Sequence, residues 1–587
     1  MGKIVFINPP NNIKKENNFS NGLFSLASIL KRQGYYVRII DFDYLFSNKI
    51  IRSSKVESIR LEIMSQYILD ENPDIVDFYT MSNSYYQTIK LSKIIKEKRK
   101  EIKVLFGGPQ ATLSFEETLK NFPWIDGIGM GEGEKTITPI INALLKNKEL
   151  TDEKGVAYLK NGLVIKNGIE LIENLDELQD YDYSLLEGNI KEKISLDVGR
   201  GCPFGCKYCS TKTFWKRNFR LKSSERIIRE ITYIKNNFNV DYFNFEHDLF
   251  TANRSKVIDF CNKIIKSNLN IKWTCSSRVD TLDEEMIDIM YKAGCRGMFL
   301  GIETGSPRMQ KIINKNLRLN EVKNIANKLK KNGIMVVTSF IYGFPEETED
   351  DLEKTLNLIY DLIKIDIDII QLHLFAVFPG TDYMNELKDY LYLSNNFSDA
   401  AFTDHISNEE KKIIECNKEI FSQYMDFNIG IRRDFKYLDI YAHKLLKKII
   451  KYFNKTYDIL MSKVGGHVEI FKAFREVNRE LLVRYENWNE NIFISYDEII
   501  SSINNLINFI NLNDDSLLKE IFKFESDIVK FMYYSSDKYN VKSYKYDVYS
   551  IKSSKINSLH KCNYLEQISI KYTRLNDKYD INIKKIV

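Results

Sequence analysis

Histidine, cysteine and proline are scarce in this chain of 587 residues, which has six histidines, eight cysteines and ten prolines. Only three cysteines stand together, Cys202, Cys206 and Cys209, and the other five are scattered. This pattern excludes the paired framework of small secreted domains and predicts a cytoplasmic location. No histidine lies near the three cysteines, which disfavours a zinc site, because such a site closes with four nitrogen or sulfur ligands.

Long apolar runs and strong net charge are also lacking. No stretch approaches the roughly 20 apolar residues that span a bilayer, and the first residues lack the apolar core of a signal peptide. The formal charge is +5 without any basic run, so the charge does not indicate nucleic acid as a partner. We expect a soluble protein of three or four domains with no membrane span.

The three clustered cysteines have C-x3-C-x2-C spacing within the segment Gly199–Cys209, which begins with two glycines. Residues 194–198 are predicted as a strand, so the loop follows a strand's carboxyl end, where parallel α/β folds place their chemistry. Three thiolates on one short loop can hold three irons of a cubane cluster and leave the fourth iron open. Incidental cysteines and half of a zinc knuckle are the alternatives, which the spacing, the glycines and the preceding strand disfavour.

Residues 1–148 alternate strand and helix patterns, which predicts a doubly wound parallel sheet of the Rossmann or flavodoxin type. The predicted strands are 3–7, 36–40, 74–79, 103–106 and 127–130. Ligands of such sheets bind at the carboxyl ends of the strands. The candidate binding residues in the loops there are Pro9, Ser82, Gly107, Gly108, Gly131, Glu132 and Gly133.

Residues 193–385 repeat a strand and helix unit six times, which predicts a partial (β/α)6 barrel related to the TIM barrel. Its strands are predicted at 194–198, 242–246, 271–275, 297–303, 335–342 and 369–375. Polar residues follow several of them. The candidate site residues at these ends are Glu246, His247, Ser276, Arg278 and Glu303.

The cysteine loop resembles the cluster loop of the radical S-adenosylmethionine (SAM) enzymes, C-x3-C-x-aromatic-C, with Tyr208 as the aromatic residue. The resemblance implies a [4Fe–4S] cluster on Cys202, Cys206 and Cys209, whose open iron binds SAM. It places Tyr208 near the adenine, Glu246 near the SAM amino group, and Ser276 and Arg278 near the ribose or the carboxylate. It also leaves Glu303 as a SAM-binding or catalytic residue. His247, at a strand end, is a candidate general base, although a lone histidine is more often structural.

The first 148 residues resemble the cobalamin-binding domain that precedes many radical SAM barrels, in Asn8-Pro9-Pro10, Gly107-Gly108-Pro109 and Gly131–Glu134. The sequence departs from that pattern because it lacks the Asp-x-His-x-x-Gly motif and has no histidine before position 247. Gln110 also stands where relatives often have histidine. Cobalamin would therefore have no lower imidazole ligand from this domain, and a domain that keeps the fold without the ligand is the alternative.

Two further segments complete the chain. Residues 149–192 are predicted as a connector that contains a hairpin around Asn161-Gly162. Residues 386–587 have apolar residues at helical spacing over 409–425, 438–453, 469–483, 496–510 and 517–533, which predicts a mainly α-helical domain. This domain either closes the barrel or selects the substrate.

The resemblance implies a cobalamin-dependent radical SAM methyltransferase. One SAM would methylate cobalamin, and a 5′-deoxyadenosyl radical from a second SAM would prepare an unactivated carbon to receive that methyl group. It further implies a small-molecule or peptide substrate and a flavodoxin-type or ferredoxin-type electron donor.

Several alternatives stay open. A relative that rearranges or cyclises its substrate without methylation is one, and a non-catalytic cobalamin or metal-binding module is another. A methylthiotransferase is nearly excluded because it would need cysteines before Cys202, and there are none. Auxiliary clusters are disfavoured because the last third of the chain offers only Cys416 and Cys562.

Overall fold

Two predominantly parallel sheets organise the first two thirds of the chain. The computed structural model describes residues 2–10, 20–186, 188, 193–394, 398, 408–484, 494–512 and 515–534, and the strands 540–544, 568–575 and 578–585. Among these residues, no helix is both long and apolar enough to cross a bilayer.

The first sheet has seven strands in the order β2-β1-β3-β4-β5-β6-β7. Its first five strands pair in parallel, and β6 and β7 add an antiparallel edge. The predicted connector therefore contributes two strands to this sheet, on either side of the expected Asn161-Gly162 turn. The strands are β1 Lys3–Asn8, β2 Tyr36–Asp41, β3 Ile75–Tyr79, β4 Lys103–Gly107, β5 Gly127–Gly129, β6 Val156–Lys160 and β7 Leu163–Lys166.

Within the described residues, seven helices accompany this sheet, and two of them form one core with it. Leu23, Phe24 and Ala27 of α1 and Ile140 and Ile141 of α7 pack in a single buried apolar cluster with β1, β4 and β6. Burial of this cluster holds the helices against the sheet. The helices are α1 Asn21–Arg32, α2 Phe42–Ser47, α3 Glu57–Leu69, α4 Tyr85–Lys98, α5 Pro109–Leu113, α6 Phe115–Asn121 and α7 Ile137–Leu145.

The second sheet has six strands in the order β15-β14-β13-β12-β11-β8, and the pairs β8/β11, β11/β12 and β12/β13 are parallel. This sequential order is that of a partial barrel, as expected. A separate antiparallel pair, β9 and β10, follows β8. The strands are β8 Lys193–Asp197, β9 Gly199–Arg200, β10 Arg220–Leu221, β11 Tyr242–Glu246, β12 Lys272–Ser277, β13 Cys295–Glu303, β14 Met335–Tyr342 and β15 Ile369–Leu374.

Helices follow the barrel strands in turn. An aromatic group supports β11 and β12, where the rings of Phe245 and Trp273 stack 4.8 Å apart and the ring of Phe260 meets both edge-on. The helices are α8 Thr211–Phe214, α9 Ser224–Phe238, α10 Arg254–Ser267, α11 Glu284–Lys292, α12 Pro307–Ile312, α13 Leu319–Lys331, α14 Glu349–Lys364 and α15 Asp382–Leu387.

The remaining described chain is mainly helical, as predicted, and it also contains short strands. A π-helical segment, Tyr441–Leu446, joins α17 to α18. Strands β18 to β20 form an antiparallel sheet. The elements are α16 Asn408–Cys416, α17 Leu438–Ile440, α18 Lys447–Tyr452, α19 Asn454–Val464, α20 His467–Val477, α21 Arg479–Arg484, α22 Tyr496–Phe509 and α23 Ser516–Tyr534, with β16 Tyr392–Leu393, β17 Met425–Asp426, β18 Asn540–Tyr544, β19 Ile568–Leu575 and β20 Lys578–Lys585.

The contacts divide the chain into two compact units. The first contains residues 1–302, 310–339 and 373–429, and the second contains 303–309, 340–372 and 430–587. The first unit therefore includes the whole first sheet, most of the barrel strands and the segment up to residue 429.

The helix expected over 409–425 is wrong beyond Cys416, where α16 ends. The next residues form a 3-10 turn at Ser422–Tyr424 and then β17. Phe421 packs its ring 6.2 Å from Tyr85 and 6.5 Å from Tyr86 of α4. Packing against the first sheet's domain therefore overrides the helical spacing of these apolar residues.

Candidate functional site

A cavity of about 700 Å³ opens in the first unit, between the carboxyl ends of the first sheet's strands and those of β8, β11 and β12. Both walls are built from the carboxyl ends of strands, where α/β folds bind their ligands. The first wall contains Asn21, Gly22, Asp77, Tyr79, Met81, Gly107, Gly108 and Gly131–Glu134, and the second contains Asp197, Arg200, Ser210, Thr211, Phe214, Trp215, Asn244–Asp248 and Ser276.

The structure brings together eight of the residues selected from the sequence. Gly107, Gly108, Gly131, Glu132, Gly133, Glu246, His247 and Ser276 all line this cavity. Pro9, Ser82, Tyr208, Arg278 and the three clustered cysteines do not line it, although Ser210 and Thr211, directly after Cys209, do.

Glycines leave the first wall open to a ligand. A Cβ built on Gly107 would meet only Asp77, at 3.8 Å, and one built on Gly22 would meet only Tyr79, at 3.8 Å. Gly108 has φ +103°, and a Cβ there would lie 2.8 Å from the Thr80 carbonyl oxygen, so only glycine fits. The backbone itself therefore forms this edge of the cavity.

Asp77 is the buried acid of the first wall. It lies on β3, is 6% exposed, and its carboxyl group accepts no hydrogen bond from any residue that the structure describes. Burial raises the pKa of its carboxyl group to about 7, because the charged form loses hydration. The sequence analysis missed this residue, whose only signal is an acid within the apolar strand Ile75–Tyr79.

The two walls are joined by a hydrogen bond across the cavity. Asn21 Nδ2 donates to Glu246 Oε2 at 2.6 Å, and burial together with the charge of Glu246 raises the pKa of Tyr79 to about 12. The Oδ1 atom of Asn21 is buried and has no partner among the described residues. A ligand amide or hydroxyl that donates to this oxygen would remove the cost of leaving it unsatisfied.

The cysteine loop is held from several sides. Gly201 N donates to Asp248 Oδ2 at 3.0 Å, Lys207 N donates to the Ile313 carbonyl at 3.0 Å, and Asn314 Nδ2 donates to the Gly205 carbonyl at 2.9 Å. These bonds fix both the start and the middle of the loop. Hydrogen bonds to neighbouring segments of the protein therefore fix the conformation of the loop.

The three thiols are close enough for their charges to interact. Burial, together with the smaller effect of the charges of Cys209 and Cys206, raises the pKa of Cys202 to about 11, and burial likewise raises the pKa of Cys209. No three cysteine, histidine or acidic side chains of the described residues converge on a single-ion site. A cluster needs a different arrangement, because each thiolate binds its own iron.

Arg278 and Tyr208 contact the loop or its support. Arg278 bonds to both carboxylate oxygens of Asp280, at 2.9 and 2.8 Å, and its guanidinium lies 3.7 Å from the centre of the Phe204 ring, between the cysteines. Lys315 Nζ donates to Tyr208 OH at 3.3 Å. Arg278 therefore packs against the loop at Phe204.

His247 uses both ring nitrogens within the protein. Its Nδ1 accepts a hydrogen bond from Leu249 N at 2.8 Å, and its Nε2 lies 3.3 Å from the Arg220 carbonyl oxygen. Burial lowers the pKa of His247 to about 4, so the ring is neutral at physiological pH. In this structure both ring nitrogens are therefore engaged by backbone groups.

Glu303 is the last residue of β13 and belongs to the second unit, whereas the rest of β13 belongs to the first. Its φ of +68° is unusual for a residue other than glycine, and such backbone strain is concentrated at functional sites. It is 7% exposed.

Gln110 and Ser82 contact the segment that follows α16. Gln110 Nε2 donates to the Ile420 carbonyl at 2.7 Å, and Gln423 Nε2 donates to the Ser82 carbonyl at 2.9 Å. Both bonds join this segment to the first sheet's domain. Gln110 and Ser82 therefore have structural partners here.

Comparison with known proteins agrees with this geometry. The model of the radical SAM superfamily matches residues 196–359, and that of the B12-binding domain matches residues 16–141. An uncharacterized methyltransferase of Pyrococcus horikoshii is 32% identical over 61% of this chain and 76% of its own length. The chain is a radical SAM enzyme with a B12-binding domain. The enzyme's cofactors are a [4Fe–4S] cluster, SAM and cobalamin.

Another relative of this radical SAM enzyme is named for a cyclisation and not for a methyl transfer. The anaerobic magnesium-protoporphyrin IX monomethyl ester cyclase of Rubrivivax gelatinosus is 28% identical over 62% of this chain and 65% of its own length. The enzyme thus spans slightly less than two thirds of that cyclase.

Solved structures share the fold of the radical SAM enzyme. The cobalamin-dependent SAM radical enzyme OxsB, with aqua-cobalamin bound, has a TM-score of 0.58 at 17% identity, over 88% of this chain and 81% of its own. The methyltransferase TsrM of Kitasatospora setae, with cobalamin and a [4Fe–4S] cluster, has a TM-score of 0.53 at 14% identity, over 66% and 78%. These likenesses confirm the α/β fold class.

Proposed function

We propose that this radical SAM enzyme transfers a methyl group to an unactivated carbon with the help of cobalamin. The observation that carries the proposal is a cavity that both domains line. One wall is the glycine edge of the B12-binding domain, and the other wall includes the strand ends beside the cluster loop. When bound, cobalamin supplies a methyl carrier, and the cluster supplies the electron that cleaves SAM.

The fit of the residues supports these cofactors. Gly107, Gly108, Gly131 and Gly133 give cobalamin a wall without side chains. Cys202, Cys206 and Cys209 would hold the cluster. Because the pKa values of Cys202 and Cys209 are raised, loading of iron should release protons from these two thiols, which are neutral in the cluster-free protein.

Several side chains are assigned to SAM in this proposal. Glu246 would accept from the SAM amino group, oriented by its bond from Asn21, and Ser276 would donate to the ribose. Tyr208 would lie near the adenine. Phe214 and Trp215 form an apolar part of the cavity wall, which would exclude water from a reactive radical.

The same cofactors also suit a reaction without methyl transfer, and the similarity to the Rubrivivax cyclase favours that second candidate. Product analysis distinguishes the two, because only the first places a SAM methyl group on the product. The predicted domain boundaries, the cytoplasmic location, the small-molecule or peptide substrate and the flavodoxin-type or ferredoxin-type donor remain predictions.

The proposal is tested on anaerobically purified protein that has been reconstituted with iron, sulfide and hydroxocobalamin. We expect about four irons per chain, stoichiometric cobalamin after removal of unbound cofactor, and transfer of labelled methyl from SAM to the bound cobalamin under reducing conditions. Retention of the cluster without cobalamin would refute the methylation proposal and favour a B12-binding domain that has lost its ligand. Binding of neither cofactor would refute both candidates.

A further inference from the structure

Five buried charges join the B12-binding domain to the cluster loop. Arg200 Nη1 lies 2.7 Å from Glu132 Oε1, and Arg200 Nη2 lies 2.6 Å from Glu134 Oε1 and 3.0 Å from Asp197 Oδ2. Arg220 Nη1 lies 2.6 Å from Glu132 Oε2. We call these five residues the interdomain ion-pair network.

The network is enclosed by protein. The side chains of Glu132, Glu134 and Arg220 are 1%, 7% and 7% exposed, and that of Arg200 is 11% exposed. Further bonds fix the two glutamates, because Ile172 N donates to Glu132 Oε2 at 2.9 Å and Ser25 Oγ donates to Glu134 Oε1 at 2.9 Å. Each carboxylate is therefore held in one orientation.

The position of the network in the chain is the decisive feature. Glu132 and Glu134 flank Gly133 in the wall that cobalamin would contact, whereas Arg200 is separated from Cys202 by Gly201 alone. Gly201 has φ +84°, and a Cβ there would collide with the Asn218 carbonyl oxygen. The backbone from Arg200 to the first cysteine therefore has little freedom, so a displacement of Arg200 would displace the cluster loop.

We propose that Arg200 is a positioning residue that fixes the separation between the cluster loop and the cobalamin cavity. Its planar guanidinium reaches carboxylates on both sides at once, which the ammonium of lysine does not do with the same geometry. The inference rests on the proposed function in that it requires both cofactors. It assigns Glu132, which the sequence suggested as a cofactor ligand, to this network.

The test uses the full-length protein with both cofactors and compares Arg200→Lys and Glu134→Gln with the wild type. Arg226→Lys is the matched control, because Arg226 is also buried and paired with a carboxylate, Glu230, but does not line the cavity. Cofactor content is measured first. The main measurement is the magnetic coupling between Co(II) of cobalamin and the reduced cluster by electron paramagnetic resonance, which weakens steeply with distance. Formation of 5′-deoxyadenosine from SAM is the second measurement.

We expect Arg200→Lys and Glu134→Gln to retain iron and cobalamin while the coupling weakens or spreads over several values. SAM cleavage in Arg200→Lys should fall by about 10- to 100-fold, as for a misplacement of about 1 Å. Arg226→Lys should keep the wild-type coupling.

Three results would overturn the inference. The first is unchanged coupling in both network variants, and the second is no coupling in wild-type protein that holds both cofactors. The third is loss of a cofactor from both network variants, which would assign the network to cofactor retention. Wild-type protein without cobalamin would instead refute the proposed function on which the inference rests.

Discussion

Replacement of Asp77 by asparagine should stabilise the cofactor-free protein, and more so as the pH rises. The native structure holds this carboxyl group at a pKa of about 7, against an ordinary value of 3.8. Below pH 3.8 the group is protonated in both the folded and the unfolded chain and has no effect. As the pH rises, the unfolded chain ionises first, so the folded state loses stability until the pH passes about 7.

The magnitude follows from these two values. One pKa unit corresponds to about 1.4 kcal/mol, so ionisation of Asp77 costs the folded state ~4 kcal/mol at pH 8 and ~2 kcal/mol at pH 5. These are upper bounds, because water in the empty cavity screens the charge. Asp77→Asn keeps the shape and removes this cost. The gain at pH 8 should therefore exceed the gain at pH 5 by up to ~2 kcal/mol.

Thermal unfolding of the cofactor-free protein at the two pH values measures this difference. For a domain of about 150–250 residues, 1 kcal/mol shifts the melting temperature by about 2–4 °C, so the difference between the two pH values should reach about 4–8 °C. Asp152→Asn, at an exposed acid of a loop, is the matched control and should show no such dependence. An Asp77→Asn protein with the wild-type pH profile would refute the reasoning.

Four other changes test the site. Cys206→Ser should abolish cluster assembly, measured as loss of iron and of SAM cleavage, while cobalamin binding persists; retention of the wild-type iron content would contradict the ligand assignment. Gly107→Leu should fill the open edge and abolish cobalamin retention while iron content stays at the wild-type level, and cobalamin bound as in the wild type would exclude this edge as its site. Arg220→Ala should destabilise the fold by about 3 kcal/mol, which is the lower end of the range for removal of one partner of a buried ion pair. The lower end is expected because Glu132 stays paired with Arg200; an unchanged denaturation midpoint would contradict this. His247→Asn should leave the pH dependence of SAM cleavage unchanged between about pH 6 and 9, and loss of one limb of that profile would show proton transfer by His247.

Local patterns were sufficient to predict the parallel strands of both sheets. Strands β11 and β14 have the predicted bounds, and the other predicted strands differ by one or two residues at an end, because apolar runs between turn residues determine strands largely without tertiary information. The alternation of apolar and polar residues in Ile568–Leu575 also indicates a strand, and the sequence analysis overlooked it.

The roles of several site residues were not predictable, because they depend on contacts between distant segments. Arg200 and Glu132 are 68 positions apart, and Asn21 and Glu246 are 225 apart. A motif shows that such residues stand at strand ends, but not whether a side chain faces the cavity or another charge. Glu132 and His247 illustrate this, since both lie at the cavity and both have their polar atoms bonded within the protein.

The interdomain ion-pair network also limits how this enzyme can be recombined with its relatives. Grafting onto this barrel a B12-binding domain without acids at the positions of Glu132 and Glu134 would leave Arg220 buried without its counter-charge and Arg200 with Asp197 alone. A chimaera of this enzyme should therefore keep the acids of the B12-binding domain and the arginines of the barrel together.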